Sequence, residues 1–97
     1  MLDSMQLVEM IRELTETKSD YAVAKILGIR PQSVCNWKGG RSSMSEEIAV
    51  NTALILDLDP GYVLACVCAE RAIDTPLFEV WVSIVERLTP KKSRKKA

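Results

Sequence analysis

The sequence predicts an all-α fold of five to six short helices, and three observations favour it. Apolar residues recur at intervals of three and four, which is the spacing of one helix face. No segment alternates apolar and polar residues as a half-buried strand does. Capping residues, prolines and glycines stand where helices of ordinary length would begin and end. An apolar share of 47% in 97 residues is enough for one core without disulfide bonds.

The first helix is expected to begin near Asp3. The Asp3 carboxylate can cap the first turn while Gln6 reaches back to the Asp3 backbone. Residues 15–18 then form a connection to the next helix. The apolar face of this first helix is predicted to consist of Leu7, Ile11 and Leu14.

Two short helices are expected to follow, over residues 20–27 and 31–38. Ser19 is a good N-cap for the first of them, and Gly28 suits its left-handed C-terminal end. Pro31 suits the first turn of the second, because its missing N–H has no helical partner at that position. A glycine pair at 39–40 ends this helix.

Three further helices are expected in the second half of the chain. Ser43 and Glu46 have the spacing of a capping box for a fourth helix, which would run to about Leu56. An aspartate-proline pair at 59–60 and a threonine-proline pair at 75–76 each join a capping residue to a proline at the first helical position. These pairs predict the starts of a fifth and a sixth helix.

The composition excludes several classes of protein. The chain has no histidine, and its three cysteines are an odd number without metal-ligand spacing: Cys35, Cys66 and Cys68. We therefore expect no metal, no cofactor and a reducing, cytoplasmic compartment. The longest apolar run, residues 62–69, is far shorter than the ~20 residues of a membrane span, so no membrane association is expected.

The charges are unevenly distributed although the net charge is zero. Residues 18–41 carry five basic and one acidic side chain, whereas residues 42–88 carry a net charge of −6. We expect a single helical domain over residues 1–88 and a flexible basic tail over residues 89–97. The tail would add non-specific affinity for phosphates, although solubility alone would also explain its five charges: Lys91, Lys92, Arg94, Lys95 and Lys96.

Residues 20–39 have the pattern of a helix-turn-helix. Such a motif needs a small residue where its helices touch, a glycine in the turn and apolar residues on both inner faces. A plain helical hairpin would explain any one of these positions alone, but not all of them together. The positions that fit are Val23, Ala24, Leu27, Gly28, Ile29, Val34 and Trp37.

Over residues 4–58 the chain resembles the phage repressor and Cro family of helix-turn-helix regulators. The most specific part is the segment YAVAKILGIRPQSVCNWKGGR. The stretches PQSVCNWKGGR and LDLDPGYVL are also similar to regulators encoded by filamentous prophages. The resemblance implies a lambda-repressor-like domain whose second motif helix enters the major groove of double-stranded operator DNA.

The resemblance also implies roles for individual residues. The groove-facing side chains would be Gln32, Ser33, Cys35 and Asn36, because Val34 and Trp37 belong to the core. Their amides and hydroxyl can pair with base edges, although Pro31 stands where the family often has a polar base-reading residue. Cys35 is either simply a small residue at this position, or a thiol whose contact with DNA makes binding sensitive to oxidation. Contacts to phosphates would come from Tyr21, Arg30, Lys38 and Arg41.

The fifth and sixth helices, over residues 60–88, are more apolar than one small core requires. Either helices four to six extend that core, or the chain forms a two-fold homodimer that brings two recognition helices to adjacent half-sites. The dimer is the favoured interpretation. Its expected interface residues are Tyr62, Phe78, Trp81, Val82 and Val85.

Other functions fit the sequence less well. An enzyme would need parts that are missing here, such as a histidine, a phosphate-binding glycine loop or a nucleophile beside a base. Recognition of RNA would need more aromatic side chains for stacking. The remaining alternative is a protein-interaction module with this fold, such as an antitoxin or an anti-repressor. A regulator of the repressor type could equally bind a protein anti-repressor as a partner.

Overall fold

The computed structural model describes residues 1–89, which form six α-helices and no strand. This confirms the all-α fold. The predicted basic tail lies, from residue 90 onward, outside the described residues. The helices are α1 (Ser4–Thr15), α2 (Asp20–Leu27), α3 (Pro31–Lys38), α4 (Glu46–Leu56), α5 (Pro60–Arg71) and α6 (Phe78–Leu88).

Local capping starts three of the helices where the sequence predicts. At α1, the Gln6 N–H donates to the Asp3 carboxylate at 2.9 Å and the Asp3 N–H donates to the Gln6 side chain at 3.0 Å. The Ser19 hydroxyl caps α2 by accepting from the Ala22 N–H, and Asp59 caps α5 in the same way. Each bond satisfies a backbone donor that the first turn would leave unpaired.

The prediction that Ser43 caps α4 is wrong. Ser45 is the N-cap, and its hydroxyl accepts from the Ile48 N–H at 3.3 Å. The reason is a tertiary contact of the residue between the two serines. Met44 is fully buried and its N–H donates to the Ser4 hydroxyl at 2.8 Å, so its backbone is bound to α1 rather than wound into α4.

The predicted start of α6 at Pro76 is also wrong, since the helix begins at Phe78. Thr75 closes a tight turn instead of capping the helix. Its hydroxyl donates to the Ala72 carbonyl at 2.6 Å and accepts from the Leu77 N–H at 3.2 Å. The bond to Ala72 holds Thr75 against the end of α5, so the new helix begins only after the chain has turned.

Helix α5 lies at the centre of the second half of the fold. It packs against both α4 and α6, and six of its twelve residues are buried. The buried stripe of α1 is formed by Ser4, Leu7, Val8 and Ile11. Leu14, predicted on the apolar face of this helix, lies at the edge of the buried stripe and is 57% exposed. Within residues 1–89, no helix is both long and apolar enough to cross a bilayer.

Candidate nucleic-acid interface

The turn between α2 and α3 is set by Gly28. Its φ of 72° lies in the left-handed region, where a Cβ would be strained. The Gly28 N–H bonds to the Lys25 carbonyl at 3.2 Å and the Ile29 N–H bonds to the Ala24 carbonyl at 2.9 Å. This pair of bonds is a Schellman motif, which ends α2 and directs the chain into α3.

Both motif helices are held to the core by the side chains that the sequence predicts. Ala24 is buried where the helices meet, and Val23 and Leu27 are buried beside it. Ile29 in the turn is half-buried against the same core. Val34 and Trp37 hold one side of α3 in the core, so the other side faces outward. On that side Gln32 and Cys35 are exposed, and Ser33 and Asn36 are half-buried.

A shallow groove of about 320 Å³ lies beside the N-terminus of α3. Tyr21, Lys25 and Arg30 line it, so one phenol and two cations share the groove with the first turn of a helix. Arg30 occupies the N-cap position without a side-chain capping bond. Sequence reasoning missed Lys25, although it lies four residues after Tyr21 and therefore on the same face of α2.

Lys38 is paired within the chain rather than free. Its Nζ lies 2.9 Å from the Asp20 carboxylate, which also contacts the Arg12 guanidinium of α1. The hydrogen bond from Lys38 is the main cause that holds the pKa of Asp20 below its ordinary value of 3.8, and Arg12 contributes to the same effect. This cluster joins α1, α2 and α3, so a DNA phosphate would have to compete with Asp20 for Lys38.

Arg41 folds back over the end of α3. Its Nε donates to the Asn36 side-chain oxygen at 3.2 Å, and one terminal nitrogen lies 3.9 Å from the Cys35 sulfur. Gln32 also donates to the same Asn36 oxygen, at 3.0 Å. The structure therefore brings a predicted phosphate contact into one network with the predicted base-reading side chains.

The residues predicted for a dimer interface fall into two groups. Tyr62 and Val85 are buried in the core of the single chain, so they offer little surface for a partner to cover. Phe78, Trp81 and Val82 are half-buried on α6. The predicted interface residues leave out three exposed apolar residues, Leu77, Val80 and Leu88. Helix spacing places these three on one face.

Comparison with known proteins found no family model, no curated protein and no solved structure that matches the chain. The outward face of α3 carries two amides, a group that can donate and accept hydrogen bonds, and the guanidinium of Arg41, which only donates, lies beside them. Cations and a phenol surround this face. Such a surface can meet an anionic polymer whose bases present both donors and acceptors.

Proposed function

We propose that this chain is a sequence-specific DNA-binding regulator of the phage repressor and Cro type. Helix α3 lies in the major groove and reads base edges with its outward polar face. The main support is the arrangement of α2 and α3, in which Val34 and Trp37 hold α3 to the core while Gln32 and Asn36 face outward. The groove formed by Tyr21, Lys25 and Arg30 lies where it can receive a backbone phosphate.

The geometry favours DNA over a generic anionic surface because the outward face is polar rather than uniformly charged. Phosphate contacts supply affinity that does not depend on sequence, whereas amides on a helix supply selectivity. Gln32 keeps its side-chain oxygen and one N–H hydrogen free of the network with Asn36. Those two groups match the donor and acceptor that adenine presents in the major groove.

A second copy of the chain is the partner that this function requires, since one recognition helix contacts only a few base pairs. Helix α6 packs almost entirely against α5, which leaves its other side uncovered. The apolar residues that α6 leaves exposed form one face at the edge of this contact: Leu77 is 59% exposed, Val80 is 55% exposed and Leu88 is 40% exposed. We assign the two-fold interface to this face rather than to α5, whose apolar side chains lie in the core.

Selection of bound sequences from a random duplex pool tests the function. A regulator of this kind enriches a palindromic site whose half-site centres lie about 34 Å apart, or a multiple of that distance. No enriched sequence, together with tight binding to a protein, would instead identify an interaction module.

Two variants then separate base reading from phosphate binding. Gln32→Ala should cost about 1 to 3 kcal/mol on the enriched site and little on random DNA. Arg30→Ala should weaken binding to both and reduce the slope of log K against log salt by about one unit. Equal losses on both DNAs for Gln32→Ala would contradict the assignment of Gln32.

Val80→Glu tests the dimer without disturbing the core, because Val80 is exposed in the single chain. The variant should melt at nearly the wild-type temperature, sediment as a monomer and lose binding to the full palindrome. Glu79→Gln, one position earlier on α6, is the matched control. A wild-type chain that remains monomeric at tens of micromolar would contradict the dimer.

A further inference from the structure

The bonding of Asn36 defines which atoms of the outward face remain free. An arginine Nε can only donate, so the Asn36 atom that it meets at 3.2 Å must be the oxygen. The same oxygen accepts from Gln32 at 3.0 Å, and the two bonds use both of its lone pairs. Asn36 therefore has no acceptor left, and only its NH₂ group can face a base. Near the C-terminal end of α3, the Asn36 side chain can therefore only donate hydrogen bonds to a base.

The bond to Asn36 leaves both terminal nitrogens of the Arg41 guanidinium free of Asn36. That bond uses Nε, and the contact with the Cys35 sulfur at 3.9 Å is long and weak. The two terminal nitrogens can therefore form the forked pair of donors that guanine O6 and N7 accept. Adenine does not fit such a fork, because its N6 group is itself a donor.

The position of Arg41 depends on the absence of a side chain at residue 39. A Cβ at Gly39 would lie 2.9 Å from one terminal nitrogen of Arg41 and 3.3 Å from the carbon of the guanidinium. The backbone does not require glycine here, because φ is −83° and ψ is 0°, a conformation open to L residues. The Arg41 N–H also bonds to the Asn36 carbonyl at 2.9 Å, which fixes the backbone from which the side chain folds back.

We propose that Arg41 is a base-reading residue that selects guanine, with Asn36 as the residue that positions it and Gly39 as the space that admits it. This inference rests on the proposed function and changes the expected role of Arg41 from phosphate binding to specificity. A phosphate contact tolerates lysine in place of arginine, because any cation neutralises the charge. A forked contact to guanine does not, because an ammonium group lacks the planar pair of donors.

The test measures binding to the site enriched by the wild-type chain and to duplexes in which each guanine of that site is replaced in turn. For wild type, replacement of one guanine in each half-site should lower affinity about 10- to 100-fold. Arg41→Lys should bind the enriched site more weakly by a similar factor, lose that preference, and keep its affinity for random DNA and its salt slope. Arg30→Lys is the matched control and should keep every base preference.

Gly39→Ala gives an independent readout because it leaves Arg41 itself in place. It should melt at or above the wild-type temperature, since this φ and ψ suit alanine and alanine loses less backbone entropy on folding than glycine, yet lose the same guanine preference as Arg41→Lys. If Arg41→Lys and Gly39→Ala both keep the guanine preference, Arg41 is a phosphate contact and this inference is overturned while the proposed function stands. If the wild-type chain enriches no sequence at all, both proposals fail.

Discussion

Replacement of Ser4 by alanine tests the hydrogen bonds that join the start of α1 to Met44 and to Glu70 of α5. Ser4 is fully buried at the start of α1, and its hydroxyl makes two bonds to residues distant in sequence. It donates to the Glu70 carboxylate of α5 at 2.8 Å and accepts from the Met44 N–H at 2.8 Å. The Ser4 N–H also donates to Glu70, at 2.9 Å, and this bond survives the substitution.

The expected cost follows from what the missing hydroxyl leaves behind. A hydrogen bond to a charged group is worth about 1.5 to 3 kcal/mol, and a buried N–H without a partner costs about 1 to 3 kcal/mol. The greater helix propensity of alanine offsets less than about 0.5 kcal/mol. Because local relaxation lowers the sum, we expect a loss of about 2 to 4 kcal/mol in the free energy of unfolding. A chain of this length has only about 5 to 15 kcal/mol in total.

Urea unfolding followed by circular dichroism measures this loss. With a slope of about 1.5 kcal/mol per molar urea, the midpoint should fall by about 1.3 to 2.7 M. Ser83→Ala, on the exposed side of α6, is the matched control and should shift the free energy by less than about 0.5 kcal/mol. Glu70→Gln keeps an acceptor but loses its charge, so its effect should lie between the two. A Ser4→Ala variant as stable as Ser83→Ala would refute the reasoning.

Three further outcomes are expected. Glu16→Gly should raise the free energy of unfolding by about 0.5 to 1 kcal/mol, because Glu16 ends α1 at a φ of 57° that strains any side chain; an unchanged urea midpoint would contradict this. Asp20→Asn should cost about 1 kcal/mol of the free energy of unfolding at neutral pH. Because the pKa of Asp20 is lowered in the fold, this loss of stability relative to wild type should be complete above pH 3.8 and disappear as pH falls further. A difference that persists at pH 2 would count against the ion-pair account. Truncation after Leu88 should leave the melting temperature nearly unchanged and lower the affinity for every duplex at low salt. Equal affinity of the full and truncated chains for random DNA would exclude a role for the basic residues of the tail.

The sequence alone determined the elements whose ends depend on neighbouring residues. Helices α2 and α3 have the predicted bounds, because Ser19, Gly28 and Pro31 act within one turn of their own positions. The inward faces of these helices were likewise predicted from spacing, since a helix period places Val23 and Leu27 on one side whatever the rest of the chain does. Most of the candidate site could therefore be named before its geometry was known.

The tertiary structure decided what depends on residues far apart in the chain. Ser45 rather than Ser43 caps α4 because Met44 bonds to Ser4, forty positions away. Spacing could not show that α5 is enclosed by α4 and α6, because an apolar helix is equally ready to pack on its own chain or on a second copy. The pairing of Lys38 with Asp20, eighteen residues earlier, was hidden for the same reason. Sequence pattern encodes which face of a helix is apolar or charged, but only packing selects the surface that meets it.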